Sequence, residues 1–136
     1  MNRPLTHTSL RLGGGAGFAG DRLDAPLHLA AQGELDYLIL ECLAERTIAL
    51  AQLRRRRDPD SGYDARLTER IESLLPLLAR RGTRLVTNMG AANPLAAADR
   101  IIDIARRLHI PVKVAAVTGD DVLDRKSTRL NSSHRL

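Results

Sequence analysis

The sequence has very few aromatic residues, a single cysteine and no long apolar segment. Aromatic side chains make up 2% of the 136 residues, so the chain offers almost no flat surface on which nucleic-acid bases could stack. A single cysteine, Cys42, excludes a framework of internal disulfide bonds and favours a reducing compartment. No apolar run approaches the ~20 residues that span a bilayer, and the first residues do not form a secretory leader. We therefore expect a cytoplasmic protein without a membrane partner.

The end of the chain differs in character from the rest. Residues 124–134 read DRKSTRLNSSH, which resembles the in-frame translation of a common sequencing-library adapter. We interpret residues 124–136 as a non-native tail, read through from a truncated gene, and exclude them from fold prediction. We expect residues 1–9 to form a disordered N-terminus. Residues 10–123 remain as part of a larger α/β domain, whose missing remainder is an expected partner.

The net charge depends strongly on this tail. The chain holds 21 Lys and Arg residues against 16 Asp and Glu residues, a net charge of +5, and the tail supplies four of the bases and one of the acids. Residues 1–123 therefore carry 17 bases against 15 acids, a net charge of +2. Four arginines at 54–57 lie at a predicted helix end, where the helix dipole favours cations. No nucleic-acid partner is expected from so small an excess.

Four short apolar runs predict strands at residues 10–12, 36–42, 83–88 and 112–117. The run at 36–42 is continuous, which is typical of a strand covered on both faces. Helical patterns separate the runs, and such alternation predicts right-handed crossovers onto a parallel sheet. The expected fold is α/β, with a mostly parallel four-stranded sheet and flanking helices in a Rossmann-like arrangement.

Start and stop signals mark the predicted helices. Asp24 and Asn93 are predicted N-caps, and Pro94 suits the first helical position. Gly82 is predicted to end the third helix. Pro76 interrupts that helix and is expected to kink or split it. The apolar stripe of the third helix consists of Leu67, Ile71, Leu74, Leu75 and Leu78.

Loops that leave the carboxyl ends of parallel strands form the ligand crevice of such a sheet. Here those loops lie at residues 13–21, 41–47, 88–93 and 118–121. We expect them to bind a small molecule. The predicted ligand-binding residues are Gly15, Gly17, Asp21, Glu41, Glu45, Arg46, Asn88, Gly90, Asn93 and Asp120.

The glycine-rich loop has three open interpretations. Gly15, Gly17 and Gly20 form a dinucleotide-binding fingerprint, and Glu41 lies where a ribose-binding acid is expected. Against this, Asp24 as an N-cap would place a carboxylate where the pyrophosphate should sit. The glycines could instead permit a tight turn, or let the backbone approach another ligand. No cofactor is assigned from the sequence.

The remaining loop residues allow several chemistries. Glu41 and Glu45 should keep the Cys42 thiol neutral, which argues against a thiolate nucleophile unless Arg46 offsets them. Glu45 and Arg46 could also pair with each other or cap a helix. Asp120 and its neighbour could hold a cation or simply form a turn. The four histidines lack metal-ligand spacing with Cys42, so no metal site is predicted, and catalytic residues stay unassigned.

Five ordered motifs resemble a known family. They read LGGGAGFAGDR at 12–22, GELDYL at 33–38, ECLAERTIALAQ at 41–52, VTNMGAANP at 86–94 and VTGDD at 117–121. Together they resemble the N-terminal domain of the acyclic terpene utilisation (AtuA) family over residues 10–123.

This resemblance implies a role in the catabolism of acyclic isoprenoids, such as citronellol and geraniol, through acyl-CoA intermediates. Family members are several times longer, so the resemblance also implies that this chain is a leading fragment. It supplies no catalytic residue. Two functional classes stay open: an enzyme or enzyme subunit acting on an isoprenoid-derived acyl compound, and a non-catalytic nucleotide- or CoA-binding module of a catabolic complex.

Overall fold

The computed structural model describes residues 9–122, so the predictions for residues 1–8 and for the tail at 124–136 lie outside the described residues. The elements are β1 (Leu12–Ala16), α1 (Asp24–Gln32), β2 (Tyr37–Leu40), α2 (Glu45–Arg57), α3 (Leu67–Arg81), β3 (Arg84–Thr87) and α4 (Pro94–Arg107). The strands pair in parallel in the order β1-β2-β3. The predicted α/β class, with a parallel sheet and flanking helices, is confirmed.

The sheet has three strands in the part of the chain that the structure describes, so the prediction of a fourth strand at residues 112–117 is wrong. The chain is irregular there, and no backbone hydrogen bond joins it to β3. Val117 is 90% exposed. A buried strand needs a hydrogen-bonded neighbour as well as apolar side chains. An apolar run in the sequence shows the side chains but not the neighbour.

β1 lies further along the chain than predicted and includes three glycines that were assigned to a loop. Glycine usually weakens a strand because it has no side chain to pack. Here that absence makes room for α1. A Cβ atom on Gly15 would lie 2.8 Å from Cβ of Pro26 and 2.8 Å from Cδ2 of Leu40. Gly15 therefore marks a close contact between helix and sheet.

Only one face of β2 is fully buried. Leu38 and Leu40 are 0% exposed, whereas Tyr37 and Ile39, which point to the opposite face, are half-buried. On the same opposite face, Val86 of β3 is 51% exposed. The prediction that β2 is covered on both faces is therefore wrong within the described range. Helix α1 packs against β1, β2 and α3, and α3 packs against α4.

The start and stop signals of α3 and α4 agree with the structure. Asn93 caps α4 through its Oδ1, which accepts from the amide of Ala96 at 3.3 Å, and Pro94 follows as the first helical residue. Gly82 ends α3 in the left-handed conformation with φ of 70°. Pro76 was predicted to kink or split α3, and the helix runs through this residue without a split.

The predicted cap of α1 is wrong. Asp24 is the first helical residue, and the preceding Leu23 provides no side-chain cap. The carboxylate of Asp24 instead forms an ion pair with the guanidinium of Arg22. This hydrogen bond and ion pair hold the pKa of Asp24 at about 2. A neighbouring guanidinium therefore engages the carboxylate that would otherwise cap the helix.

Candidate functional site

The three strands end side by side at the carboxyl edge of the sheet. The amide of Glu41 donates to the carbonyl of Ala16 at 3.1 Å, which joins the end of β2 to β1. The amide of Cys42 donates to Oδ1 of Asn88 at 2.7 Å, which joins β2 to the loop after β3. The polar loops that follow the strands are therefore neighbours and form the candidate site.

Glu41 and Asn88 meet at the centre of this edge. Nδ2 of Asn88 and the amide of Leu43 each donate to Oε1 of Glu41 at 2.9 Å. The bond from Asn88, followed by the bond from Leu43, lowers the pKa of Glu41. Both side chains are exposed, so the pair presents an ionised carboxylate and a carboxamide at the surface of this edge.

The glycine-rich loop is closed by its own aspartate. The amide of Gly17 donates to Oδ2 of Asp21 at 2.9 Å, and the amide of Arg22 donates to Oδ1 at 2.8 Å. Helix α1 begins two residues later, at Asp24. The Gly17 amide therefore already donates its hydrogen bond to a carboxylate. In a dinucleotide site, the pyrophosphate would need this amide as a donor.

Substituting Asp21 with asparagine should abolish a titration at the Gly17 amide. The hydrogen bonds from Gly17 and Arg22 hold the pKa of Asp21 below its ordinary value of 3.8. Its contribution to loop stability is therefore present above pH 3.8 and is lost as the pH falls through the lower folded-state pKa. Asparagine keeps an acceptor oxygen but has no charge to lose.

The measurement is the chemical shift of the Gly17 amide from about pH 2 to about pH 6. It should titrate below 3.8 in the wild type and stay flat in Asp21→Asn. The exposed Asp120→Asn serves as the matched control and should leave the Gly17 titration unchanged. A titration that persists in Asp21→Asn would contradict the assignment.

Three of the predicted site residues have local structural roles. Gly15 is buried within β1. A Cβ atom on Gly90 would lie 2.9 Å from Cα of Pro94, so the loop after β3 packs directly on the start of α4. Asn93 is 9% exposed, and its Nδ2 donates at 2.8 Å to two backbone carbonyls of the loop between α2 and α3. These residues shape the edge, and their ligand contacts stay predictions.

Glu45 and Arg46 lie exposed in the first turn of α2. Between residues 9 and 122, no hydrogen bond or ion pair joins the two side chains. The start of the helix is stabilised by Thr47 instead, whose Oγ1 accepts from the amide of Ala44 at 2.7 Å. Asp120 is also exposed and lines a groove beside β3. The ligand contacts of these residues stay predictions.

A groove of about 1120 Å³ runs along the free edge of β3. One wall comes from α3 and α4, and the other comes from the irregular segment at residues 111–117. The polar lining residues include Asn88 and Asp120 near the carboxyl end of β3, and Thr83 and Arg84 at its amino end. The apolar side chains of the helical wall include Ile71, Leu75, Leu78, Ala98 and Ile101.

Two buried charged residues at this edge were not predicted from the sequence. Arg70 is 0% exposed and Asp64 is 9% exposed. Asp64 lies before α3, where its Oδ1 accepts from the amide of Arg66 at 2.7 Å. A signal for Arg70 was present, because it falls in the apolar stripe of α3 between Leu67 and Leu74. A charged residue at a buried helix position requires internal hydrogen-bond partners.

The sequence matches the family model described as acyclic terpene utilisation family protein AtuA over residues 10–135. The chain belongs to the AtuA family. This confirms the resemblance read from the five motifs and associates the chain with the utilisation of acyclic terpenes. No curated protein and no solved structure matches the chain significantly.

The AtuA match includes every helix and strand described above. It also runs through the segment that we interpreted as a non-native tail, and that interpretation stays a prediction. Within residues 9–122 of this AtuA chain, no helix is long and apolar enough to cross a membrane. In the same range, no group of three or more His, Cys, Asp and Glu side chains is placed to hold a metal ion.

Proposed function

We propose that this AtuA-family chain acts in the catabolism of acyclic isoprenoids through acyl-CoA intermediates, and that it binds an isoprenoid-derived acyl ligand at the carboxyl edge of the sheet. The family match supports the metabolic setting. The groove along β3 supports the ligand class, and it is the observation that carries the proposal. We also propose a cytoplasmic location, which a free cysteine supports.

The groove suits a branched hydrocarbon chain because its helical wall is apolar. Burying apolar surface contributes roughly 25 cal/mol per Å² without requiring directed contacts. Small-molecule sites usually occupy about 300–1,000 Å³. At about 1120 Å³, the groove has room for an acyl chain together with part of its carrier.

The end of the groove beside Asn88 suits the acyl carbonyl. Nδ2 of Asn88 carries two N–H groups, and Glu41 accepts from one of them. The second N–H can donate to a ligand carbonyl at the carboxyl end of β3, where Asn88 lines the groove. The proposed ligand therefore lies with its hydrocarbon part beside α3 and α4 and its carbonyl beside Asn88.

The alternative, a nucleotide- or CoA-binding module without catalytic activity, draws on the glycine-rich loop. That loop supports it less strongly, because the amide of Gly17 already donates to Asp21. Without an acyl group, CoA would also leave the apolar wall of the groove without a hydrocarbon chain to contact. We therefore treat CoA binding without the acyl group as an outcome of the test.

Substituting Ala98 with phenylalanine should weaken binding of the acyl ligand by about tenfold or more, because the added ring fills part of the groove. Ala98 lies on α4, is half-buried and lines the groove. The probe is the CoA thioester of geranic acid, and isothermal titration calorimetry of the full chain measures its dissociation constant. Leu95→Phe is the matched control, because Leu95 lies on the same helix and is 61% exposed.

We expect the control to bind the thioester as the wild type does. Equal affinity of the wild type for free CoA and for the thioester would favour the CoA-binding alternative. Undiminished binding by Ala98→Phe would place the acyl chain outside the groove. An absence of binding by the wild type would contradict both proposals.

A further inference from the structure

Arg70 on α3 joins the glycine-rich loop to the end of β2. Its side chain is fully buried. Nη2 donates to the carbonyls of Ala19 at 2.9 Å and Asp21 at 3.0 Å, and Nη1 donates to Sγ of Cys42 at 3.0 Å. Because the guanidinium is planar and rigid, a movement of one acceptor changes the geometry of the other bonds.

The burial of this cation is costly. No carboxylate accepts a hydrogen bond from Arg70 among residues 9–122, and its Nε has no hydrogen-bond partner there. A buried charge without a paired counter-ion loses its hydration with incomplete compensation. An apolar side chain of similar volume would fill the same space at lower cost. We therefore relate the role of Arg70 to the loop and the thiol that it contacts.

The thiol of Cys42 is surrounded by charged groups. It is 2% exposed, and burial raises its pKa, while the positive charge of Arg70 acts in the opposite direction. The charged side chains that face the thiol are Arg70, Arg66, Asp64, Glu41 and Asp21. Of these, Arg70 touches both Sγ and the loop.

We propose that Arg70 is a positioning residue, which holds residues 19–21 of the glycine-rich loop in place and couples the position of that loop to the thiol of Cys42. The inference goes beyond the proposed function, because the glycine-rich loop does not line the groove along β3. A ligand that draws the loop away from α3 also draws the guanidinium away from Sγ. Because such coupling is reciprocal, ionisation of the thiol in turn favours the inward position of the loop.

Two substitutions separate the shape of Arg70 from its charge. Arg70→Lys keeps a cation near Sγ but loses the fork that reaches both carbonyls, so the loop amides should exchange faster while the pKa of Cys42 changes little. Arg70→Met also removes the charge, so the pKa of Cys42 should rise by about one unit or more. Hydrogen–deuterium exchange of the full chain measures the loop. The Cβ chemical shift of cysteine-labelled protein measures the thiol, since Cys42 is the single cysteine.

Arg81→Met is the matched control, because Arg81 lies on the same helix but donates to the carbonyl of Ala31. It should leave both measurements at their wild-type values. An unchanged pKa of Cys42 in Arg70→Met, or equal loop exchange in Arg70→Met and Arg81→Met, would overturn the proposal. If Arg70→Met does not fold, unchanged loop exchange in Arg70→Lys overturns it instead. No ligand is needed, so the result is independent of the proposed function.

Discussion

Substituting Leu74 with alanine is expected to lower the free energy of unfolding by about 2–5 kcal/mol. Leu74 lies midway along α3 and is 0% exposed. It belongs to the apolar core that also contains Leu38 and Leu40 of β2 and Ile104 of α4. Truncation leaves a cavity between elements that hold one another in place, so the surroundings can collapse only partly.

Urea unfolding followed by circular dichroism measures this effect as a lower midpoint with an unchanged slope. Leu53→Ala is the control, because Leu53 on α2 is 49% exposed. We expect the control to stay within about 0.5 kcal/mol of the wild type. If both variants lost the same stability, Leu74 would not belong to the core.

Substituting Gly15 with alanine is expected to cost about 1–3 kcal/mol. The new Cβ atom would lie 2.8 Å from Cβ of Pro26, 2.8 Å from Cδ2 of Leu40 and 3.0 Å from Cδ1 of Leu38. These atoms belong to α1 and β2, so relief of the clash requires the helix to move away from the sheet. Because Gly15 lies in β1 just before the candidate site, the movement should also disturb the glycine-rich loop.

Gly14→Ala is the matched control for this prediction. Gly14 is the preceding residue of β1, and no heavy atom lies within 4 Å of the Cβ position. Its substitution should be neutral, or stabilise the fold by about 0.4–1 kcal/mol, because alanine restricts the unfolded chain. Thermal unfolding of both variants makes the comparison. Equal effects at the two positions would contradict the close contact of Gly15 with α1 and β2.

The helices were the most predictable part of the fold because their signals are local. Asn93 and Pro94 mark the start of α4 within two residues, and Gly82 marks the end of α3. The strands were less predictable. The apolar run at residues 112–117 has the composition of a strand, yet strand formation depends on a partner that sequence periodicity does not show.

Some residues of the candidate site were predictable because they lie at strand ends, whereas others depend on contacts between distant segments. Glu41 and Asn88 were placed at strand ends independently, and parallel pairing brings them together across 47 positions of the chain. Asn93 was predicted both to cap α4 and to bind a ligand; its side chain does cap the helix and donates to neighbouring carbonyls, and its ligand contact stays a prediction. Arg70 was not predicted, because its acceptors lie in segments distant in the sequence.

By itself, the sequence determined the AtuA family, the α/β class, the end of α3 and the start of α4, because these depend on residue order and on interactions within a few residues. Only the tertiary structure decided that Gly15 makes room for α1, that the sheet has three strands within residues 9–122, and that Arg70 connects the loop to Cys42. The physical reason is that steric clearance, strand pairing and the partners of a buried charge are relations between distant segments, which exist only after the chain has folded.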